Sequence, residues 1–290
     1  MSAIRNSRGV SCPRRNDGQV MQSHRRISRL AYRAGRFEQG QRALPEEVPV
    51  ALVYNGTTQA VMMATPAAFE DFAAGFSLTE GIISDLSEIT ETEVVEHGTG
   101  VEIRMWLAPE AEARFSARRR AQVGPVGCGL CGIDSLSEAL RVLPKVQCDI
   151  RLTPPDVADA MAGLTRHQAL HDTTRAAHAA GFWQPGLGVT LGREDVGRHN
   201  ALDKLAGAMA RAGLAAEGAL VITSRVSVDM VQKAVMVGAP VLIAASAPTA
   251  LAVEEADRSN LTLIALARGS DFDVYTHTER LIQGPHAHVA

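Results

Sequence analysis

No stretch of the 290-residue chain approaches the ~18–20 consecutive apolar residues that a membrane span needs. The arginine-bearing start has no apolar core of the kind a secretion signal carries, so the sequence predicts a protein of the reducing cytosol. Cysteine is scarce. Four in the whole chain (Cys12, Cys128, Cys131, Cys148) are too few for a disulfide framework at this length. No internal repeat is present, and no low-complexity tract beyond the start. The balance of 46% hydrophobic and 21% charged residues with a net charge of −3 describes an ordinary soluble protein of one large or two modest domains.

What stands out against this background is Gly127-Cys128-Gly129-Leu130-Cys131-Gly132. Glycine reaches positive φ without a Cβ clash and lets other molecules approach the backbone. A core helix or strand gains nothing from glycines this dense, so the segment reads as an exposed loop that presents sulfur.

Along the chain, residues 1–42 are polar and rich in arginine (Arg5, Arg8, Arg14, Arg15, Arg25, Arg26, Arg29, Arg33, Arg36) with few acids and no sustained apolar period. They predict a disordered basic leader. Aromatic residues do not interleave regularly with the arginines and no known binding motif follows, so no nucleic-acid partner is expected, and Cys12 receives no role. Residues 45–122 predict a small α+β unit. Val48–Tyr54 and 59–64 read as strands about an Asn55-Gly56 turn. Thr65-Pro66 reads as the cap and first position of a helix carrying Phe69, Phe72, Ala73, Phe76 and Leu78, ended by Gly81. Residues 93–97 and 101–107 read as a further strand pair. Arg114, Arg118, Arg119 and Arg120 follow, as a solvated face or as an anion-facing run beside the thiols.

Residues 123–285 predict an α/β core. Ser135 to Glu138 form a capping box, and Pro154-Pro155-Asp156 opens another helix. Val189–Leu191 reads as a strand, and further short apolar runs at 219–223, 241–245 and 261–267 suit strands buried on both faces of a parallel sheet. Helices begin near Ser227 and Thr249. This βαβ alternation implies ligands at the carboxyl ends of the strands, where helix amides and their partial positive charge point outward. There the chain places Thr223-Ser224-Arg225, Ser246-Ala247-Pro248-Thr249 and Arg268-Gly269-Ser270-Asp271. Ser246 and Thr249 also read as plain caps, but Arg225 with Arg268 favours a phosphate-binding edge. The stretch Arg193 to Lys204, with Glu194, Asp195, Arg198, His199, Asn200 and Asp203, reads equally as an ion-paired scaffold or a ligand site. His178 is open in the same way. His97, His167, His171, His277, His286 and His288 are weaker candidates.

A CxxC serves as half of a zinc site, as a redox dithiol or as a carrier of transferable sulfur. No second CxxC completes a structural zinc site, and His167/His171 or Cys148 lie at untypical spacings. The zinc-deaminase pattern of H-x-E followed by P-C-x-x-C fails on order, because His277-Thr278-Glu279 comes after the thiols. A thioredoxin-like dithiol belongs early in the chain, whereas this one follows a separate unit. Sulfur carriage requires only an accessible thiolate, whose pKa the upstream arginines and a following helix would lower, with Asp134 opposing.

Several stretches together resemble the FdhD/NarQ family, the formate dehydrogenase accessory sulfurtransferases. They are Asn55-Gly56 with Thr65-Pro66 and Gly75-Phe76 to Ile83, the thiol loop, Glu194 to Leu205, Ser224 to Ala234, Ser246 to Ala252, and Ala267 to His277. The resemblance spans roughly residues 45–282. It implies a cytidine-deaminase-like three-layer core without the catalytic zinc, in a cytoplasmic protein that dimerises. It also implies an activity. Such a protein takes sulfur as a cysteine persulfide from a cysteine desulfurase and passes it to the molybdenum bis(molybdopterin guanine dinucleotide) cofactor of the formate dehydrogenase catalytic subunit. Cys128 matches the persulfide carrier and Cys131 the supporting thiol. Leu266, Ala267, Arg268, Gly269, Ser270 and Asp271 match the cofactor-binding stretch, with Arg225, Ser246, Thr249 and His199 joining it at the strand-end pocket. No resident metal is expected. Thr174-Arg175 departs from the Thr-Gly often found in the family. The rival reading is a non-catalytic chaperone of the cofactor or apo-enzyme, with a structural or metal-bound CxxC.

Overall fold

The computed structural model describes residues 21–123, 142–147 and 150–282. Cys12, the thiol loop with Cys128 and Cys131, the helix expected from Ser135, Cys148, and His286 and His288 lie outside these residues. The first elements are β1 (His24–Arg33) and β2 (Arg36–Pro45), paired antiparallel along their whole length as a separate two-stranded sheet. This corrects the expectation of a disordered leader up to residue 42. The turn residues Ala34 and Gly35 take φ of 47° and 81°, a geometry whose twist matches the flanking strands. The arginines mask a period of two, which becomes visible only once the strands are paired.

β3 (Val48–Tyr54) and β4 (Thr57–Ala64) turn through Asn55-Gly56 at φ 46° and 77°. With β5 (Ile89–His97) and β6 (Gly100–Leu107) they form a sheet in the order β4-β3-β6-β5. Alternate residues of β3 and β6, among them Val50, Leu52, Ile103 and Met105, pack on α1 (Phe69–Thr79) and α2 (Pro109–Val123) through Phe72, Phe76, Ala111 and Phe115. Thr65 does not cap α1. That helix starts at Phe69 after Ala68 in a left-handed conformation. Thr65 instead donates its backbone N–H to Asp195 (3.0 Å) and accepts from the Val196 amide through its hydroxyl (3.1 Å).

The larger unit holds α3 (Pro154–Leu164), α4 (Ala169–Thr174), β7 (His178–Gln184), β8 (Gly188–Asp195), α5 (Arg198–Arg211), β9 (Ala219–Ile222), α6 (Val228–Val237), β10 (Val241–Ala244), α7 (Ala250–Arg258), β11 (Thr262–Arg268) and β12 (Asp271–Val274). Its sheet runs β12-β11-β10-β9-β7-β8. β9, β10 and β11 are parallel, as expected, but β7, β8 and β12 each pair antiparallel to their neighbours. The strand at 188–195 is therefore an antiparallel edge, separated from the parallel set by β7. Ala179-Ala180-Gly181 gave β7 no β-branched signal because α3 packs closely on it: a Cβ at Gly181 would stand 2.8 Å from Leu164 Cδ1. α5, α6 and α7 cover one sheet face around Phe182, Leu220, Leu242 and Leu263. α3 covers the other around Trp183, Val221, Ile243 and Ile264. The result is a three-layer α/β core.

The two units meet where α1 crosses α5. A Cβ at Gly75 would lie 1.7 Å from the Asp203 carbonyl oxygen, and one at Gly207 would lie 1.9 Å from that of Asp71. The backbones touch, and only glycine permits it. Around this crossing Lys233 donates to Asp203 (2.9 Å), Glu80 (2.6 Å) and Thr79 (3.1 Å). Lys204 donates to Asp195 (2.6 Å) and to the Thr65 carbonyl (2.9 Å). Gly75→Ala must push the helices apart, so urea denaturation should show a loss of about 3 kcal/mol. Gly40→Ala, with nothing within 4 Å of its Cβ, should leave the midpoint unchanged. Equal midpoints for the two variants would refute the backbone contact.

Candidate functional site

The carboxyl ends of β9, β10 and β11 lead into loops that run side by side. The Val226 amide donates to the Ala247 carbonyl (3.2 Å), Thr249 N–H donates back to Val226 (2.9 Å), and Leu266 N–H reaches the Ser246 carbonyl (3.4 Å). This zipper brings residues 224–227, 246–249 and 266–271 to one edge, together with the N-termini of α6 and α7. Leu266 sits at φ 54° where the β11–β12 register slips. A leucine in that region is strained, and Leu266 is exposed. Arg268 stands opposite Asp271 in register, and Gly269 turns at φ 60°. Ser270 donates to Asp271 (3.1 Å).

The candidates at this edge divide by whether they are already engaged. Thr249 caps α7, its hydroxyl accepting from Ala252 N–H (3.2 Å), so its side chain is occupied by local structure. Ser246 is half-buried beside it. Arg225 and Arg268 are exposed and make no ion pair among the described residues. An arginine that pairs with no carboxylate keeps its full fork of donors for an anion.

The same sorting resolves the stretch from Arg193 to Lys204, which the sequence leaves open. Arg193 grips Asp71 (2.7 Å). Glu194 accepts from the Leu170 and His171 amides (both 2.7 Å), and burial pushes its pKa up against those bonds. Asp195 gathers Thr65 N–H, Gly197 N–H, Asn200 and Lys204. Asn200 also donates to the Met63 carbonyl (2.8 Å). Asp203 accepts from Thr79 (2.6 Å) and Lys233. All of these are scaffold, and Arg198 and His199 are left over. The Nε of Arg198 and the Nε2 of His199 are buried with no hydrogen-bond partner, and His199 Nε2 stands 3.9 Å from Asp229, too far for one.

Both residues start α5, whose N-terminal Gly197 supplies no side-chain cap. His178 opens β7 opposite Asp195 and at the carboxyl end of β9, where the Thr223 hydroxyl accepts from the Ala179 amide (3.0 Å). His178 and His199 are both half-buried, and both have lowered pKa values. Burial is the first cause in each case and the Arg198 charge the second. His171 adds to it for His178 and Lys233 for His199, while Asp195, Asp229 and Glu80 pull the other way. At neutral pH the edge therefore presents three arginines and two uncharged imidazoles able to donate hydrogen bonds, a set suited to oxyanions.

Among the described residues no three histidine, cysteine or acidic side chains converge as a metal site. The ring nitrogens of His167 and His171 face the Val189 (3.3 Å) and Ala177 (3.1 Å) carbonyls. The side chains of Arg118, Arg119 and Arg120 lie outside the described residues with Cys128 and Cys131. Sequence reading overlooked Arg198 as a free group because its neighbours are equally polar. Only their hydrogen-bond partners separate them.

A titration tests this arrangement. In NMR, His178 and His199 should titrate below the ordinary imidazole value of about 6.5. Arg198→Gln should raise both, and unchanged values would remove Arg198 from between them. A folded pKa below the unfolded one stabilises the fold above about pH 6.5, and that contribution is lost as pH falls through the folded values. Arg198→Gln should therefore flatten the acid limb of a stability–pH curve.

Residues 45–282 match the FdhD/NarQ family. The chain is 53% identical over 265 residues to the sulfur carrier protein FdhD of Agrobacterium fabrum, covering 91% of this chain and 98% of that one. It is 57% identical over 261 residues to the protein of the same name from Brucella abortus, covering 89% and 97%. A crystal structure from Desulfotalea psychrophila, assigned as a formate dehydrogenase accessory protein, superposes with a TM-score of 0.72 at 24% identity, over 90% of this chain and all of that one. That likeness shows the shared fold. With a family match across most of its length and relatives this similar end to end, the chain belongs to the FdhD/NarQ family.

Proposed function

We propose that this protein is a sulfur carrier serving formate dehydrogenase, with Cys128 as the carrying thiol. The Cys128 thiolate attacks the terminal sulfur of a persulfide on a cysteine desulfurase. The sulfur–sulfur bond of the donor breaks, its cysteine leaves as a thiolate, and Cys128 now holds the persulfide. Release requires two electrons. Cys131 supplies the route: its thiolate attacks the inner sulfur of Cys128, the two cysteines become a disulfide, and the terminal sulfur leaves as hydrosulfide for the acceptor. Cellular thiols then reduce the pair. The acceptor in this reading is the molybdenum bis(molybdopterin guanine dinucleotide) cofactor, held for the formate dehydrogenase catalytic subunit.

The observation that carries the reading is the end-to-end likeness to relatives named sulfur carrier proteins, with the thiol pair present in the sequence. The edge supports it. Arg225, Arg268 and Arg198, unmatched by carboxylates among the described residues, suit the pyrophosphates of a dinucleotide. The stretch from Leu266 to Asp271, with Ser246 and Thr249 beside it, would line the guanine end, and His178 and His199 would donate to phosphate oxygens. We place the protein in the cytoplasm as a homodimer. No described helix is long and apolar enough to cross a membrane.

Incubation with a cysteine desulfurase and cysteine should add about 32 Da to the Cys128 peptide, a sulfur adduct that thiol reductants remove. Cys128→Ser should abolish the adduct, and Cys131→Ser should let it accumulate. A folded protein that takes no sulfur but binds about one zinc per chain would instead be a chaperone with a metal-bound CxxC.

A further inference from the structure

The hairpin of β1 and β2 takes no part in the proposed sulfur chemistry, and it lies almost wholly outside the segment that matches the family. Its base is tied down. The Glu46 amide donates to the Ser23 carbonyl (2.8 Å), Arg25 pairs with Glu46, and Arg42 reaches the Thr174 carbonyl at the end of α4 (3.3 Å). A two-stranded ribbon alone is marginal in water, and a third strand is what such a ribbon lacks.

Among the described residues no further strand pairs with either edge of the hairpin. Its turn, Ala34-Gly35, has two residues, so the flanking pair of Arg33 and Arg36 exchanges both backbone hydrogen bonds across the ribbon. The register from there is unbroken, and bonded pairs alternate along it. Arg25, Ile27, Arg29, Ala31 and Arg33 therefore bond inward to β2. The amides and carbonyls of Arg26, Ser28, Leu30 and Tyr32 point outward along the other side of β1. β2 packs beside α4, which leaves β1 as the more open edge. It runs ten residues with no proline and no bulge, two devices by which proteins block strand addition.

The side chains define what kind of strand fits. Arg25, Arg29, Arg33, Arg36 and Arg42 share one face, with Glu38 as the acid among them, and Leu30, Tyr32 and Phe37 share the other. Those three apolar side chains are exposed by 63%, 65% and 71%, and the two rings lie 5.0 Å apart. On the arginine face Arg29 stands opposite Gly40, with nothing within 4 Å of a Cβ built there. The Nε of Arg29 is buried without a partner among the described residues. A surface laid flat on the hairpin covers one face or the other. A strand added at the edge reaches both, because its successive side chains point to opposite faces. Acids at alternate positions would lie beside the arginines, and apolar residues between them would lie beside Leu30 and Tyr32. A second β1 in antiparallel register would instead set arginines beside arginines, which is unfavourable.

We propose that the open edge of β1 captures, by strand addition, an extended segment of a partner protein in which acidic and apolar residues alternate. The probe is a fluorescein-labelled peptide of about ten residues alternating glutamate with valine, titrated with the full chain by fluorescence anisotropy. A peptide of the same composition, with its glutamates and valines in separate blocks, should bind about tenfold more weakly. Ser28→Pro removes one outward amide and leaves the inward ladder to β2 in place. It should weaken the alternating peptide about tenfold as well. Arg29→Glu with Arg33→Glu should shift the preference to a peptide alternating lysine with valine. An NMR contact between the Tyr32 and Phe37 rings verifies the hairpin in each variant. Cys128→Ser should bind as wild type does, since no thiol takes part. Equal binding of the alternating and block peptides, or full binding by Ser28→Pro with the rings in contact, would make the arginines a general charged patch and overturn strand addition. Failure of the wild type to bind the alternating peptide would overturn it too. Self-association of the wild type that Ser28→Pro abolishes would place a second copy at the edge and likewise overturn it.

Discussion

The contact of two helix backbones at Gly75 and Gly207 is the constraint on which the rest of the structure depends. A methyl group at either position would occupy space already filled by a carbonyl of the other helix. The close crossing brings Thr65, Asp71 and Glu80 of the first unit within reach of Lys204, Arg193 and Lys233 of the second. Buried charges of this kind are tolerated only when every partner is in place. Lys233 shows the balance. Burial opposes its charge, Asp203 and Glu80 outweigh burial, and its pKa rises. The ion pairs thus depend on the glycines, and the start of α5 is held by the ion pairs.

The proposed function draws on what this scaffold leaves over. Asp195, Asn200, Asp203 and Lys204 are consumed in fixing α5, so the helix can begin with Arg198 and His199 unengaged and directed to the same edge as Arg225 and Arg268. That edge is rigid because its loops are zipped together by backbone hydrogen bonds. A preorganised set of donors loses little freedom when an anion arrives. Placing these donors on strand ends and helix starts fixes their spacing before any anion binds.

Much of this was legible in the sequence, and the reasons for the rest are physical. The apolar runs of β9, β10 and β11 declared buried parallel strands, and Asn55-Gly56 declared its hairpin, since few other structures use those patterns. β7 was illegible because close packing against α3 demands alanine and glycine, which carry no strand propensity. The β1–β2 hairpin was hidden because its strands bury no apolar face, so no hydrophobic alternation marks them. In the stretch from Arg193 to Lys204, charge density alone could not separate scaffold from site. Thr65-Pro66 has the form of a helix start, yet tertiary bonds from Asp195 and Lys204 draw Thr65 into the unit interface instead.

The proposed function is the carriage of sulfur from a desulfurase to formate dehydrogenase. The most direct test is a single-turnover transfer: load the protein with ³⁵S through a desulfurase, remove the donor, and add inactive formate dehydrogenase carrying its unsulfurated cofactor. The label should leave Cys128, appear in the dehydrogenase-bound cofactor, and bring formate oxidation with it. Label that stays on the carrier, or escapes as free sulfide while the dehydrogenase remains unlabelled and inactive, would contradict the account.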